Sequence, residues 1–303
     1  MNKIIEFFFD SAREQIGIPA RLQRLLETRP DLCMHPDMPR AHIGLSSVVQ
    51  WQEWTESSHQ YPHRNAGWAV CWKQTGDQYR ASEVTLTSLS RLTRRYVDKE
   101  WPLDIREVDG FAASKSNLHE FESMDAMVEA NSHELIADIS TAGLHKMLAH
   151  KEIRVIHGVR GDDYFLRHSW DDRVFLMNSG GSHHFAAAKY IASRLDEPVQ
   201  LTAPLHTIAL HAGAVYELCA EYELFAISDE ADLSVAFNDA MRMYGAHYLW
   251  RDMPRPWQSA RAILLPRRSK RSMKVAAALR NAGAFDIGAH LVRLLLGHPS
   301  PRD

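Results

Sequence analysis

Residues 173–195 read Arg-Val-Phe-Leu-Met-Asn-Ser-Gly-Gly-Ser-His-His-Phe-Ala-Ala-Ala-Lys-Tyr-Ile-Ala-Ser-Arg-Leu. The pattern predicts a strand, a double-glycine turn with a Ser-His-His tip, and a helix opening straight out of the turn. Such a junction is suited to an anion. Glycines let backbone N–H groups approach a phosphate, and the first helical turn leaves its N–H donors without intrahelical partners. Gly180 and Gly181 would shape the cradle, and Ser182, His183 and His184 would contact the anion. Both imidazoles would lie beside the positive pole of the helix, where His183 fits a general acid or an electrostatic stabiliser. The plainer alternative is a well-capped helix whose histidines face solvent or a neighbouring loop.

The elements that must position these residues follow from periodicity. Ser182 stands where an N-cap belongs, and Phe185, Ala188, Ala192 and Leu195 form one apolar stripe at helical spacing. The run Ala186-Ala187-Ala188 permits close packing on a sheet. Upstream, residues 163–168 and 173–177 read as a hairpin turning at 169–172. A helix is expected over 133–141, capped by Ser132 and ended by Gly143, followed by a strand over 152–158. Extended segments are expected at 67–72, 104–108, 199–201 and 205–210. Helices are expected over 4–16, 21–26, 82–96, 214–222, 233–250, 273–281 and 286–296, with Trp101-Pro102 breaking the chain. This alternation predicts an α/β (α+β) protein. Its expected parts are an N-terminal α/β extension (1–103), a central phosphate-binding domain with a small mixed sheet (104–212), and a mainly helical C-terminal region (213–303).

The central segment resembles the ParB/sulfiredoxin-like nucleotide-binding superfamily. Sulfiredoxins carry Gly-Gly-Cys-His-Arg, an aromatic residue, then Ala-Ala. The matching positions here are Gly180, Gly181, Ser182, His183, His184, Phe185, Ala186 and Ala187. The resemblance spans residues 104–210 and implies a phosphate cradle for ATP, CTP or another phosphorylated ligand. Relatives include sulfinic acid reductases, CTP-hydrolysing DNA clamps, free-serine kinases and ParB-like nucleases. Ser182 replaces the reductase cysteine, which argues against sulfinic acid reduction, because a serine hydroxyl has no accessible anion at neutral pH without a base. His184 replaces the arginine that clamps phosphate, leaving a weaker, pH-dependent partner. Lys115 in the loop Ser114-Lys115-Ser116-Asn117 is then a candidate to supply the missing cation, or else an exposed loop lysine.

Carboxylates that could hold Mg²⁺ or act as a base are Asp171 and Asp172 at the hairpin tip and Glu134 on the preceding helix; each also reads as a solvated carboxylate. The 17 histidines invite a metal site, but His59 and His63 flank Pro62, and His206 and His211 fall five apart on an expected strand, pointing to opposite sides. Cys33, Cys71 and Cys219 are far apart and odd in number, which fits reduced core thiols in a cytoplasmic protein better than a disulfide or zinc framework.

A composition of 45% hydrophobic and 24% charged residues is that of an ordinary globular chain, and no segment reaches the roughly 18 apolar residues of a membrane span. Net charge is −3, but residues 251–280 hold nine Lys or Arg against the single acid Asp252. Arg267, Arg268, Lys270 and Arg271 could contact nucleic-acid phosphates without sequence preference; a solvated face or an internal ion-pair partner is the other reading. The following pair of helices has helix-turn-helix-like spacing, yet the second is apolar and suits a core or a partner surface. The expected function is therefore nucleotide or phosphate binding at residues 180–184, with phosphoryl transfer or phosphodiester hydrolysis. The alternative is a non-catalytic nucleic-acid-binding, regulatory or interaction protein using the basic segment.

Overall fold

The computed structural model describes residues 3–37, 39–56, 65–158 and 163–297. Among the described residues, ten strands run in chain order: β1 (Trp68–Thr75), β2 (Gln78–Thr85), β3 (Thr93–Asp104), β4 (Gly110–Phe111) and β5 (Tyr164–His168). They continue with β6 (Val174–Met177), β7 (Gln200–Leu210), β8 (Tyr222–Ser228), β9 (Tyr248–Asp252) and β10 (Ala260–Pro266). Together with the helices they make an α/β fold with two five-stranded sheets. Among the described residues, no helix is long and apolar enough to cross a membrane.

The chain divides into two units. One holds residues 1–38, 50–93 and 210–303; the other holds 39–49 and 94–209. Most of the expected N-terminal and C-terminal parts thus share one unit, while residues 39–49 and 94–103 join the central segment in the other. The physical reason is a shared core. Leu22 and Leu26 of the helix Ala20–Thr28 pack with Phe237, Met241 and Tyr244 of the helix Ala231–Tyr244 and with Val275 and Leu279 of the helix Lys270–Asn281. All of these cover Phe225, Tyr248 and Ile263 on the antiparallel sheet β2-β1-β9-β10-β8. The flanks therefore carry a sheet as well as helices.

The second unit is built on the mixed sheet β3-β7-β5-β6-β4. β5 and β6 form the expected antiparallel hairpin, while β7 runs parallel to β5 and β4 parallel to β6. The helix Ser182–Leu195 buries Phe185, Ala186, Ala187, Ala188, Ile191 and Ala192 in the core formed with Phe111, Phe165, Leu176 and Leu205. Phe185 meets Phe111 edge to face at 5.8 Å between ring centroids, an arrangement worth about 1 kcal/mol beyond the area it buries. The alanines, fully buried, bring the helix close to its neighbours and fix where its N-terminus emerges.

Several local expectations differ from the structure. Residues 82–96 are not one helix: they are the end of β2, the short helix Thr87–Ser90 and the start of β3. Leu89, Leu92 and Tyr96 mimic helical spacing, but the β-branched Thr85, Thr93 and Val97 favour strands. Pro102 does not break the chain, because β3 is an edge strand, where a missing N–H is tolerated. The helix expected over 133–141 is only a 3₁₀ turn, His133–Ile136, and Thr141 opens the next helix. The flanking helices Met124–Asn131 and Thr141–Leu148 are capped instead by Ser123 and Ser140, and Gly143 receives the cap rather than ending a helix. Residues 152–158 form the short helix Arg154–His157. The helix expected over 233–250 stops at Tyr244, where Gly245 takes φ +66, and β9 follows. His59 and His63 lie outside the described residues.

Candidate functional site

The site grows from the C-terminal end of β6. Asn178, immediately after the strand, donates from Nδ2 to the carbonyls of Ala113 (2.9 Å) and Gly180 (3.0 Å). Its Oδ1 accepts the N–H of Ala113 at 3.3 Å. One buried amide thereby clamps the loop after β4 to the glycine turn. Gly181 follows with φ +69 and stands at the N-cap of the helix Ser182–Leu195. A Cβ on Gly181 would lie 2.4 Å from the Glu152 carbonyl oxygen, whereas one on Gly180 would meet nothing nearer than 3.9 Å. Only the second glycine of the pair is demanded by geometry. Ser182 is the first helical residue rather than the cap, and its Oγ pairs with Ser114 Oγ at 2.9 Å.

No side chain caps this helix. Phe185 is the first residue whose N–H is used, donating to the Gly181 carbonyl at 2.9 Å. Among the described residues, the N–H groups of Ser182, His183 and His184 have no hydrogen-bond partner. These three residues line a pocket of about 550 Å³. Its wall consists of the turn 179–184, the loop 113–115, the segment containing Asn131, Ser132, Glu134 and Leu135, and the pair Glu152 and Arg154.

The two histidines differ in what they leave free. His183 Nδ1 meets Ser132 Oγ, and its Nε2 meets Ser116 Oγ at 3.1 Å. Ser116 Oγ also receives Asn131 Nδ2 at 2.8 Å. Both nitrogens of His183 are thus held by hydroxyls. His184 instead stacks on His150, with ring centroids 3.4 Å apart and planes within 9°. Burial holds both His183 and His184 below the ordinary imidazole range. Lys115 beside His183, and His150 beside His184, push the same way, while Glu134 and Glu152 oppose them. Near neutral pH both rings are therefore uncharged, available as bases or as neutral donors.

Lys115 and Glu134, both chosen from sequence, line this pocket. Asp171 and Asp172 do not. Asp171 is paired with Arg173 (2.7 Å), and Asp172 takes φ 65 in the turn between β5 and β6. That turn precedes β6, whereas the glycine turn follows it, so the strand separates the two aspartates from the site. Among the described residues, no group of three His, Cys, Asp or Glu side chains is arranged to hold a metal ion.

Two of the four basic candidates are committed to their own unit. Arg267 donates to the Cys219 carbonyl (2.8 Å) and pairs with Glu223 (3.0 Å). Arg271 donates to the Tyr244 carbonyl at 2.8 Å. Arg268 and Lys270 are exposed. The second helix of the pair, Ile287–Gly297, buries Ile287, Leu291 and Leu295, as its apolar pattern implies.

Sequence reasoning missed Asn178, His150, Arg154 and the serine network. Arg154 donates to Ser179 Oγ at 2.5 Å, and Ser179 Oγ in turn donates to the buried Asp163 at 3.0 Å. None of these residues has a diagnostic spacing, since they converge from different loops. The one local signal was Asn178 directly before Ser-Gly-Gly, a polar residue at the end of a buried strand.

Residues 98–301 match DUF6685, a family of unknown function. The chain belongs to this family. The matched region contains the whole pocket wall, from Ala113 to His184. No curated protein and no solved structure matches the chain.

Proposed function

We propose that the pocket binds the phosphoryl group of a phosphorylated ligand and carries out phosphoryl transfer or hydrolysis on it. The observation that carries this reading is the set of three unpartnered N–H groups at Ser182, His183 and His184, residues that line a pocket together with Lys115 and Arg154. Backbone donors at the end of a 14-residue helix and two cations complement a phosphate dianion. Because these N–H groups are fixed before the ligand arrives, they can also meet charge that develops on the phosphoryl oxygens in the transition state. Lys115 and Arg154 restore the positive charge removed where His184 stands in place of the sulfiredoxin-like arginine. The neutral ring of His184, stacked on His150, can donate to a phosphoryl oxygen. An ATP or CTP ligand carrying Mg²⁺ would turn to Glu134 and Glu152, the carboxylates of the pocket wall.

Thermal unfolding with inorganic phosphate, ATP and CTP, each with and without Mg²⁺, tests the reading. A ligand at 100 times its Kd adds about 2.7 kcal/mol to native stability. The expected result is stabilisation of wild type that is lost in Lys115→Met/Arg154→Met. Absence of any shift with every phosphorylated ligand would overturn it.

A further inference from the structure

We infer that Ser132 is a nucleophile activated by His183, and that the pocket works through a covalent phosphoserine. This rests on the phosphoryl-binding reading above and adds the group that attacks. Four serines line the pocket: Ser114, Ser132, Ser179 and Ser182. Ser114 and Ser182 satisfy each other, with no base against either hydroxyl. Ser179 takes Arg154 on its oxygen while donating to Asp163, so its lone pairs are already drawn toward a cation. Ser132 alone meets an imidazole, at His183 Nδ1.

The far side of that imidazole is also occupied. His183 Nε2 lies 3.1 Å from Ser116 Oγ, which accepts Asn131 Nδ2 at 2.8 Å. With the ring proton on Nε2, Ser116 accepts from both Asn131 and His183, and Nδ1 is left as the acceptor for the Ser132 hydroxyl. Asn131 and Ser116 act as positioning residues that hold the ring, and Ser116 can accept from Nε2 in the tautomer that leaves Nδ1 as the base, the part that the third member plays in hydrolase triads. Ser132 itself is anchored: its N–H donates to the Val128 carbonyl at 2.9 Å at the end of the helix Met124–Asn131. Burial and Lys115 keep His183 neutral, the form a base requires.

The chemistry balances without any further reactant except water. Ser132 Oγ attacks the phosphorus of a bound phosphate ester, its proton passes to His183 Nδ1, and the bond from phosphorus to the leaving oxygen breaks. The leaving oxygen takes the proton back from His183. Water then attacks the phosphoserine, giving one proton to His183, which returns it to Ser132 Oγ as the Ser132–phosphorus bond breaks. The products are an alcohol and inorganic phosphate.

A fluorophosphonate tests the attack directly, because phosphonylation forms an oxygen–phosphorus bond and releases fluoride. Intact mass and peptide mapping of the full chain should find one adduct, on Ser132. Ser132→Ala should abolish it and His183→Gln should slow it about a hundredfold, the usual range for a lost base. Ser116→Ala should slow it less while leaving the adduct on Ser132. Wild type without an adduct, or with its adduct on another serine, overturns the inference whether or not the variants fold. Inorganic phosphate titrated into the same wild-type protein separates the nucleophile from the phosphate site. A thermal shift without an adduct removes the nucleophile and leaves the phosphate site. An adduct without a shift removes the phosphoryl reading on which the inference stands.

Discussion

A Cβ added to Gly181 would stand 2.4 Å from the carbonyl oxygen of Glu152, and 2.6 Å from its carbon. The glycine turn is thus packed against the backbone that leads into the helix Arg154–His157, and the residue also takes φ +69. Gly181→Ala is expected to cost about 2 kcal/mol or more, from left-handed backbone strain and from the forced shift of Glu152. Gly180→Ala, with nothing nearer than 3.9 Å to its new Cβ, should remain within about 0.5 kcal/mol of wild type. Chemical denaturation of the two variants side by side checks the contrast.

Asn178 holds three backbone groups with one side chain, two on Ala113 and one on Gly180. Asn178→Asp keeps the shape but replaces the donor with a charged acceptor facing two carbonyls. The expected cost is about 2–3 kcal/mol, the range for leaving buried partners unsatisfied. Hydrogen exchange should show it locally, with faster exchange at Ala113 than in β1, which belongs to the other unit.

His168 gives the fold a pH dependence. It is fully buried beside Trp170, and among the described residues neither ring nitrogen has a hydrogen-bond partner. Burial lowers its pKa from 6.5 to about 4, with Arg173 and Arg95 pushing in the same direction and Asp171 opposing them. The native state then refuses a proton that the unfolded chain accepts. Stability is full above pH 6.5 and falls as pH drops toward 4, at about 1.4 kcal/mol per pH unit for one proton. His168→Leu should flatten that slope by one proton, read from urea midpoints between pH 6.5 and pH 4. His290, also lowered to about 4 by burial, contributes the same sign and remains in the variant.

The basic segment divides by what each side chain touches. Arg271→Ala removes the donor to the Tyr244 carbonyl and a guanidinium 5.5 Å from the Tyr244 ring. It should cost about 1–2 kcal/mol. Arg268→Ala and Lys270→Ala remove exposed charges and should change stability by less than about 0.5 kcal/mol. Thermal melts of the three variants distinguish the roles.

The helix Ser182–Leu195 was legible in the sequence because its alanine run, aromatic anchor and glycine turn act locally. The β5–β6 hairpin was legible for the same reason. β8 and β10 were not marked, since fully buried strands lack the polar alternation that identifies a half-exposed one. The shared core of the two flanks is a long-range fact, joining Leu22 to Phe237 and Leu279, that no window of sequence contains. At the site the glycines and Lys115 could be read, but the roles of the histidines could not. Whether an imidazole faces a ligand or is held by Ser132 and Ser116 depends on loops that meet only in the fold.

The most direct measurement is the amide spectrum of ¹⁵N-labelled protein titrated with inorganic phosphate at constant ionic strength. Saturable shifts are expected at the N–H groups of Ser182, His183 and His184, smaller ones at Lys115, and loss of all of them in Lys115→Met/Arg154→Met. Shifts confined to the exposed basic residues Arg268 and Lys270, with the helix N-terminus silent, would contradict phosphate binding at this site.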